Sequence, residues 1–144
     1  MANWFECKVK YDKTQENGSV KKVSEPYLVD ALSFTEAEAR ITEEQRPFIS
    51  GEFSVDAVKR TKIAEIFFND GADRWYMVKV AFITIDEKTA KEKRSVSQIL
   101  VQASNFREAL ENFLKGMEGT MADYEIVQIA ETPLMDVYRM KVVD

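Results

Sequence analysis

Histidine is absent from the 144 residues of the chain, and cysteine occurs once, as Cys7. Without histidine, the commonest metal ligand, the commonest general base and every Ser–His or Cys–His nucleophile pair are excluded. A single cysteine cannot form an internal disulfide, which is typical of proteins in a reducing cytoplasm. We therefore expect a cytoplasmic protein that is not an enzyme and that uses no cofactor and no metal.

Glycine and proline are also scarce, with 5 and 3 residues respectively. The glycines do not have the spacing of a phosphate-binding loop, and no Gly-, Pro- or Ser-rich linker separates flexible domains. No apolar run approaches the roughly 20 residues that a membrane-spanning helix needs. The start, Met1 to Trp4, lacks the pattern of a secretory signal. These absences predict one compact domain with no membrane partner.

One stretch of the sequence occurs twice. Trp4 and Trp75 open the two copies and lie 71 residues apart, while the predicted helix-capping residues lie 72 apart. Each copy reads as two alternating strands, a capped helix and two further strands. We expect residues 1–70 and 71–144 to be two repeats that pack together as one compact domain.

The predicted fold class is α+β, built from an internally duplicated strand-strand-helix-strand-strand unit. Eight strands predict a mostly antiparallel sheet with two helices on one face. Ser33 and Glu36 predict a capping box for the first helix, and Phe34 is expected on the inner face of that helix. The last strand is expected between Met135 and Val142.

Each tryptophan is followed four residues later by a lysine on the same side of a strand. Trp4 shares its side with Lys8 and Lys10, and Trp75 shares its side with Lys79. An indole beside cations on an open sheet is suited to stack on unpaired bases and to neutralise phosphates. Alternatively, each indole closes the end of a core and satisfies its N–H locally.

Charge is distributed unevenly, although the net charge is −5. The predicted helices are acidic, whereas the strands and hairpins are basic. One interpretation is that this basic side binds nucleic acid despite the negative net charge. The other is that its charges are solvated and keep edge strands from pairing. The candidate residues for binding nucleic acid or a protein partner are Trp4, Lys8, Lys10, Lys21, Lys22, Lys59, Arg60, Trp75, Lys79, Lys93 and Arg94.

Three segments carry a resemblance to other proteins: Trp4 to Val9, Tyr27 to Glu38, and Thr120 to Val127. They resemble a family of small uncharacterised proteins of gut anaerobic bacteria and their phages or mobile elements. The resemblance covers essentially the whole chain, and it implies a cytoplasmic protein and brings no catalytic residues. The order of strands and helix, cut between Gly51 and Phe53, is similar to the repeats of Pur-alpha and Whirly proteins, which bind single-stranded nucleic acid.

The sequence thus favours a non-enzymatic binding module for single-stranded DNA or RNA. The alternative is a protein-interaction or inhibitory module of phage or mobile-element origin. A duplicated unit satisfies its own two-fold internally, whereas an open sheet face with apolar residues often marks an interface. We therefore expect a monomer or a weak homodimer.

Overall fold

A computed structural model describes residues 3–139 of the chain, which form strands and helices in the predicted order. Residues 140–142 of the predicted last strand lie outside the described residues. The α+β class is confirmed. The elements are β1 (Asn3–Thr14), β2 (Val20–Ala31), α1 (Phe34–Gln45), β3 (Phe53–Arg60), β4 (Ile63–Phe67), β5 (Arg74–Ile85), β6 (Glu92–Ala103), α2 (Phe106–Gly116), β7 (Asp123–Glu131) and β8 (Asp136–Tyr138).

The strands form two four-stranded sheets, and the expectation of a single sheet is wrong. Sheet 1 has the strand order β3-β1-β2-β8, and sheet 2 has the order β4-β6-β5-β7. Helix α1 contacts strands of sheet 1, and α2 contacts strands of sheet 2. Each helix therefore covers its own sheet, and the two helices do not share one sheet face.

Each sheet is built around a long antiparallel hairpin, β1–β2 or β5–β6. In β1, Phe5, Cys7 and Val9 are fully buried beneath α1, whereas Lys8 between them is exposed. This alternation follows from the two-residue period of a strand, which sends successive side chains to opposite faces. Burial of each large apolar side chain contributes about 1.5–3 kcal/mol to folding.

A short parallel strand completes each sheet. In sheet 1, Val137 of β8 lies opposite Leu28 of β2. In sheet 2, Ile66 of β4 lies opposite Leu100 of β6. Both pairings are parallel, while the remaining pairings of the two sheets are antiparallel. The sheets are therefore mostly antiparallel, as predicted, with one parallel edge each.

The compact units do not follow the order of the repeats in the sequence. One unit comprises the residues up to Thr61 together with those from Pro133, and the other comprises Lys62–Thr132. Strand β4 therefore belongs to the unit with most of the predicted second repeat, and β8 belongs to the unit with most of the predicted first repeat. A division of the chain after residue 70 would instead group β4 with the strands of sheet 1 and β8 with the strands of sheet 2.

Corresponding backbone features recur in both units. Thr61 donates its backbone N–H to the carbonyl of Trp4 (2.9 Å), and Thr132 donates likewise to the carbonyl of Trp75 (2.8 Å). Both threonine hydroxyls donate to the same carbonyls. A bulge interrupts the β1–β3 and β5–β7 pairings, each time between the fourth and fifth residue after the tryptophan. The two tryptophan-bearing strands therefore share these backbone features.

The helix starts follow the predicted capping residues. The Ser33 hydroxyl accepts a hydrogen bond from the backbone N–H of Glu36 (3.1 Å). The Asn105 side-chain oxygen accepts one from the N–H of Glu108 (2.9 Å). The carboxylate of Glu108 accepts a hydrogen bond from the backbone N–H of Ser104 (3.1 Å). In a capping box it would accept from the N–H of the capping residue Asn105 itself. These bonds satisfy helix donors that have no partner inside the helix.

Helix α2 lies against β4 at Gly116. A Cβ atom at Gly116 would lie 2.5 Å from two carbon atoms of the Phe67 ring. Phe67 in turn packs against Phe113, with ring centroids 6.2 Å apart. The ring is thus held between the helix and its own strand, and only glycine leaves room for it.

We expect Gly116→Ala to lower the free energy of unfolding by about 1–3 kcal/mol because it overpacks this contact. This direction is opposite to the gain of about 1 kcal/mol that Ala gives in an open helix position. Urea denaturation measures the change. The double variant Gly116→Ala/Phe67→Leu should regain part of the loss, and a Gly116→Ala protein as stable as wild type would contradict the contact.

Candidate nucleic-acid interface

Four of the predicted cations lie on the face of sheet 1 that is opposite to α1. Lys8 and Lys10 point there from β1, because the residues between them are buried against the helix. Directly paired residues share a face: Lys22 lies opposite Asp12 in the β1–β2 register, and Lys59 lies opposite Glu6 in the β1–β3 register. We call this set the basic face: it consists of Lys8, Lys10, Lys22 and Lys59.

The basic face carries cations without close counter-ions. Within residues 3–139, the ion pairs closer than 4.0 Å involve other cations: Lys13, Arg40, Arg74 and Arg94. Glu6 and Asp12 share the face but lie beyond that distance from its lysines. Asp56, the extra residue of β3 at the bulge next to Lys8, lines a cavity together with Lys10 and Lys22. The four lysines therefore share this side of sheet 1 with carboxylates that do not pair with them.

Small side chains surround the central lysine of the basic face. Lys10 lies between Ser24 on β2 and Ser54 on β3 in the two strand registers. Lys8 lies between Pro26 and Ala57 in the same way. These four cross-strand neighbours are uncharged, whereas Asp12, Glu52 and Asp56 line a cavity together with Lys10 and Lys22. The surface beside Lys10 therefore carries charges of both signs.

The two tryptophans do not share one environment. Trp4 is half-buried at the start of β1, on the side of the basic face. Trp75 is only 2% exposed, and its ring packs edge-on against Phe68 at a centroid distance of 5.8 Å. The hypothesis that Trp75 stacks on a base is therefore corrected in favour of the structural alternative, because its ring has no accessible face.

The expectation of a wholly open sheet face is also wrong. Leu28 is 1% exposed and Val137 is 9% exposed, although both lie on the face of sheet 1 opposite to α1. On the corresponding face of sheet 2, Ala81 and Leu100 are fully buried. Both sheets therefore bury residues on each of their faces. The face of sheet 1 opposite to α1 is therefore covered around Leu28 and Val137, whereas Lys8 and Lys59 on β1 and β3 remain exposed.

The remaining predicted cations are separated from the basic face. Lys79, Lys93 and Arg94 are exposed on sheet 2, and Arg94 pairs with Glu125 at 3.0 Å. Lys21 is exposed next to Lys22, but alternation directs it to the opposite face of the hairpin. The structure thus brings together one subset of the predicted site and places the others elsewhere.

Arg60 lies at the end of β3 on the other side of the sheet, where it meets aromatic rings. Its guanidinium carbon is 5.6 Å from the centroid of Phe5 and 5.7 Å from the centroid of Phe34. Phe34 remains 49% exposed, although its helical position predicts the inner face. Sequence reasoning did not select Phe34 as a binding residue, and the only signal for it was its place at the first position of a capped helix.

Two side chains of β1 that carry an ionisable thiol or hydroxyl have raised pKa values. Burial raises the pKa of the Cys7 thiol to about 12, and the nearby charges of Glu6 and Glu38 add to the increase. Burial also raises the pKa of Tyr11 to about 12, and its hydroxyl donates a hydrogen bond to the Glu25 carboxylate (2.6 Å). Cys7 is therefore a small buried apolar residue, as its strand position predicts.

The geometry defines an α+β domain of two four-stranded sheets, each covered by one helix, with a basic face on sheet 1. The chain belongs to the family described as Domain of unknown function (DUF4494), whose model matches residues 3–140. Neither a curated protein nor a solved structure matches the chain. Among the described residues, neither helix has the length and apolar character that crossing a membrane requires.

We expect a thiol-reactive chromophore to modify Cys7 roughly 1,000-fold more slowly in the folded protein than in denaturant at about pH 8. The reason is that a pKa near 12 leaves about three orders of magnitude less thiolate than an ordinary thiol has. Absorbance during labelling measures both rates. Rapid labelling of the folded protein would show that the thiol is accessible and ionised.

The same shift predicts a pH dependence of stability. Folding raises the pKa of Cys7, so the unfolded chain loses this proton first as the pH rises above about 8.5. The free energy of unfolding should therefore fall between about pH 8 and pH 10. Cys7→Val, which copies the valine at the corresponding position 78 of β5, should remove this part of the decrease and serves as the matched control.

Proposed function

We propose that the domain is a non-enzymatic binding module whose ligand is single-stranded DNA or RNA, bound across the basic face of sheet 1. The observation that carries this proposal is the set of four lysines on one face without a carboxylate within 4.0 Å in the described residues. Positive surfaces that follow the sugar-phosphate backbone are the common element of single-strand binding.

The spacing of the lysines supports a single strand as the ligand. Lys8 and Lys10 are two residues apart on one strand, which separates their Cα atoms by about 7 Å. Lys22 and Lys59 extend the charge across both neighbouring strands. The small neighbours of Lys8 and Lys10 leave a surface on which a flexible backbone lies flat.

A second candidate function is protein interaction, with an origin in phages or mobile elements. The observation that favours it is on sheet 2, where Ile85 is 70% and Val96 is 63% exposed. The β5–β6 register places both side chains on the face opposite to α2. Exposed apolar side chains on one sheet face are typical of protein contact sites. This candidate predicts a protein ligand at sheet 2 and assigns no role to the basic face.

We also propose that the chain arose by duplication of a strand-strand-helix-strand-strand unit. The paired threonine bonds, the paired bulges and the paired helix caps support this origin. The edge strands support it as well: Leu28 opposite Val137 in sheet 1 corresponds to Leu100 opposite Ile66 in sheet 2. Within such a duplication, Lys8 and Lys22 correspond to Lys79 and Arg94 of the second unit, whereas the counterparts of Lys10 and Lys59 are the alanines at positions 81 and 130.

We expect wild-type protein to bind a fluorescent oligonucleotide of about 12 nucleotides at low salt and to lose affinity as salt rises. Lys8→Ala and Lys10→Ala should each reduce the slope of log K against log salt by about 0.7, the value for one phosphate contact on a single strand. Fluorescence anisotropy at two or more salt concentrations measures both quantities.

Lys115→Ala is the matched control, because Lys115 is an exposed lysine on α2 and lies outside the basic face. It should leave the slope unchanged. Absence of binding at low salt would disprove the nucleic-acid proposal. An equal decrease in slope for Lys115→Ala and Lys8→Ala would show that the attraction is not localised to the basic face.

A further inference from the structure

The edge of sheet 1 holds an arginine side chain between two aromatic rings. Phe5 and Phe34 meet edge to face, with ring centroids 5.0 Å apart and an interplanar angle of 69°. The Arg60 guanidinium lies within 6 Å of both centroids. At this distance a cation is attracted by the electron-rich face of each ring. The contacts therefore restrict a side chain that is otherwise long and flexible.

This arrangement remains open to solvent. Phe5 is fully buried and anchors the cluster, whereas Phe34 is 49% exposed and Arg60 is exposed. Among residues 3–139, no carboxylate lies within 4.0 Å of the Arg60 guanidinium. A planar cation held against rings, without an ion-pair partner, is suited to an external ligand because little side-chain entropy remains to be lost.

The second unit lacks this arrangement at the corresponding place. Glu131 lies opposite Tyr76 in sheet 2, as Arg60 lies opposite Phe5 in sheet 1. Glu131 forms an ion pair with Arg74 at 3.5 Å. The charge is therefore reversed and already paired in the second unit. The exposed arginine on aromatic rings is not a requirement of the fold, since the other unit forms the same strands without it.

We propose that Phe34 and Arg60 form a stacking platform for one unpaired base at the edge of sheet 1. Proteins that bind single strands stack bases on aromatic rings and on guanidinium planes, and this cluster presents both. Lys59 of the basic face precedes Arg60 on β3, so a strand that crosses this edge meets a phosphate contact and the platform in succession. This inference rests on the proposed function, and it adds the residues that recognise the base.

The test compares two oligonucleotides of about 12 nucleotides, one of thymidines and one of the same length with abasic sites throughout. Wild-type protein should bind the thymidine strand more tightly than the abasic strand. Phe34→Ala should weaken binding of the thymidine strand by about 5- to 150-fold, the range for loss of one stacking side chain. It should leave binding of the abasic strand unchanged, because that strand retains only the phosphate contacts.

Three further variants make the comparison specific. Arg60→Lys keeps the charge and removes the guanidinium plane, so it should also weaken only the thymidine strand. Phe34→Tyr keeps the ring and should bind as wild type does. Phe106→Ala is the matched control, because Phe106 is the corresponding residue of α2 and is 56% exposed. Circular dichroism of each variant shows whether it is folded.

Each outcome decides the inference. Wild-type affinity of folded Phe34→Ala for the thymidine strand would overturn the platform and leave the basic face as the binding site. An equal loss for both strands would also overturn it, because the effect would not depend on the base. If wild type binds neither strand at low salt, the proposed function and the platform both fail. Binding of a polyglutamate peptide that is lost in Arg60→Ala, without oligonucleotide binding, would instead assign the cluster to an acidic protein.

Discussion

Backbone groups on the outer edges of β2 and β6 need hydrogen-bond partners, and each edge receives them from a strand that arrives from the other half of the chain. This exchange completes both sheets. In sheet 1, side chains strengthen the seam: the Arg40 guanidinium donates to the Asp30 carboxylate and to the carbonyl of Arg139. Tyr138 stacks on Tyr27, and its hydroxyl accepts a hydrogen bond from Gln45. Strand β8 is thereby fixed beside β2 and beneath α1.

The strand pairing in sheet 1 determines which charged residues share a face. Lys8 and Lys10 share one face because the alternate residues of β1 are buried, and Lys22 and Lys59 join them through the registers of the two neighbouring strands. A chain with a net charge of −5 thus brings four lysines together on one face of a sheet. Since Debye screening limits the field of such charges to about 10 Å, the local arrangement of charges matters more for a ligand than the total.

Local features could be predicted from the sequence, and long-range pairings could not. The caps at Ser33 and Asn105 depend on residues three positions apart, and the burial of Cys7 follows from alternation within one strand. Strand β8 pairs with β2, which is far from it in sequence, and no local sequence pattern indicates this pairing. Alternation along β5 also indicated the sheet face on which Trp75 lies, but it did not indicate that the side chain is buried there. Likewise, helical period placed Phe34 on the inner side without indicating where the sheet beneath it ends.

The return of the chain to sheet 1 sets the order in which the units are completed during synthesis. The unit of Lys62–Thr132 is continuous in sequence, so every strand of sheet 2 emerges from the ribosome before Pro133 does. Sheet 1 lacks β8 throughout that time, although its other strands were made first. Strand β2 therefore keeps an unpaired edge until residues 136–138 have emerged, and β8 then closes it.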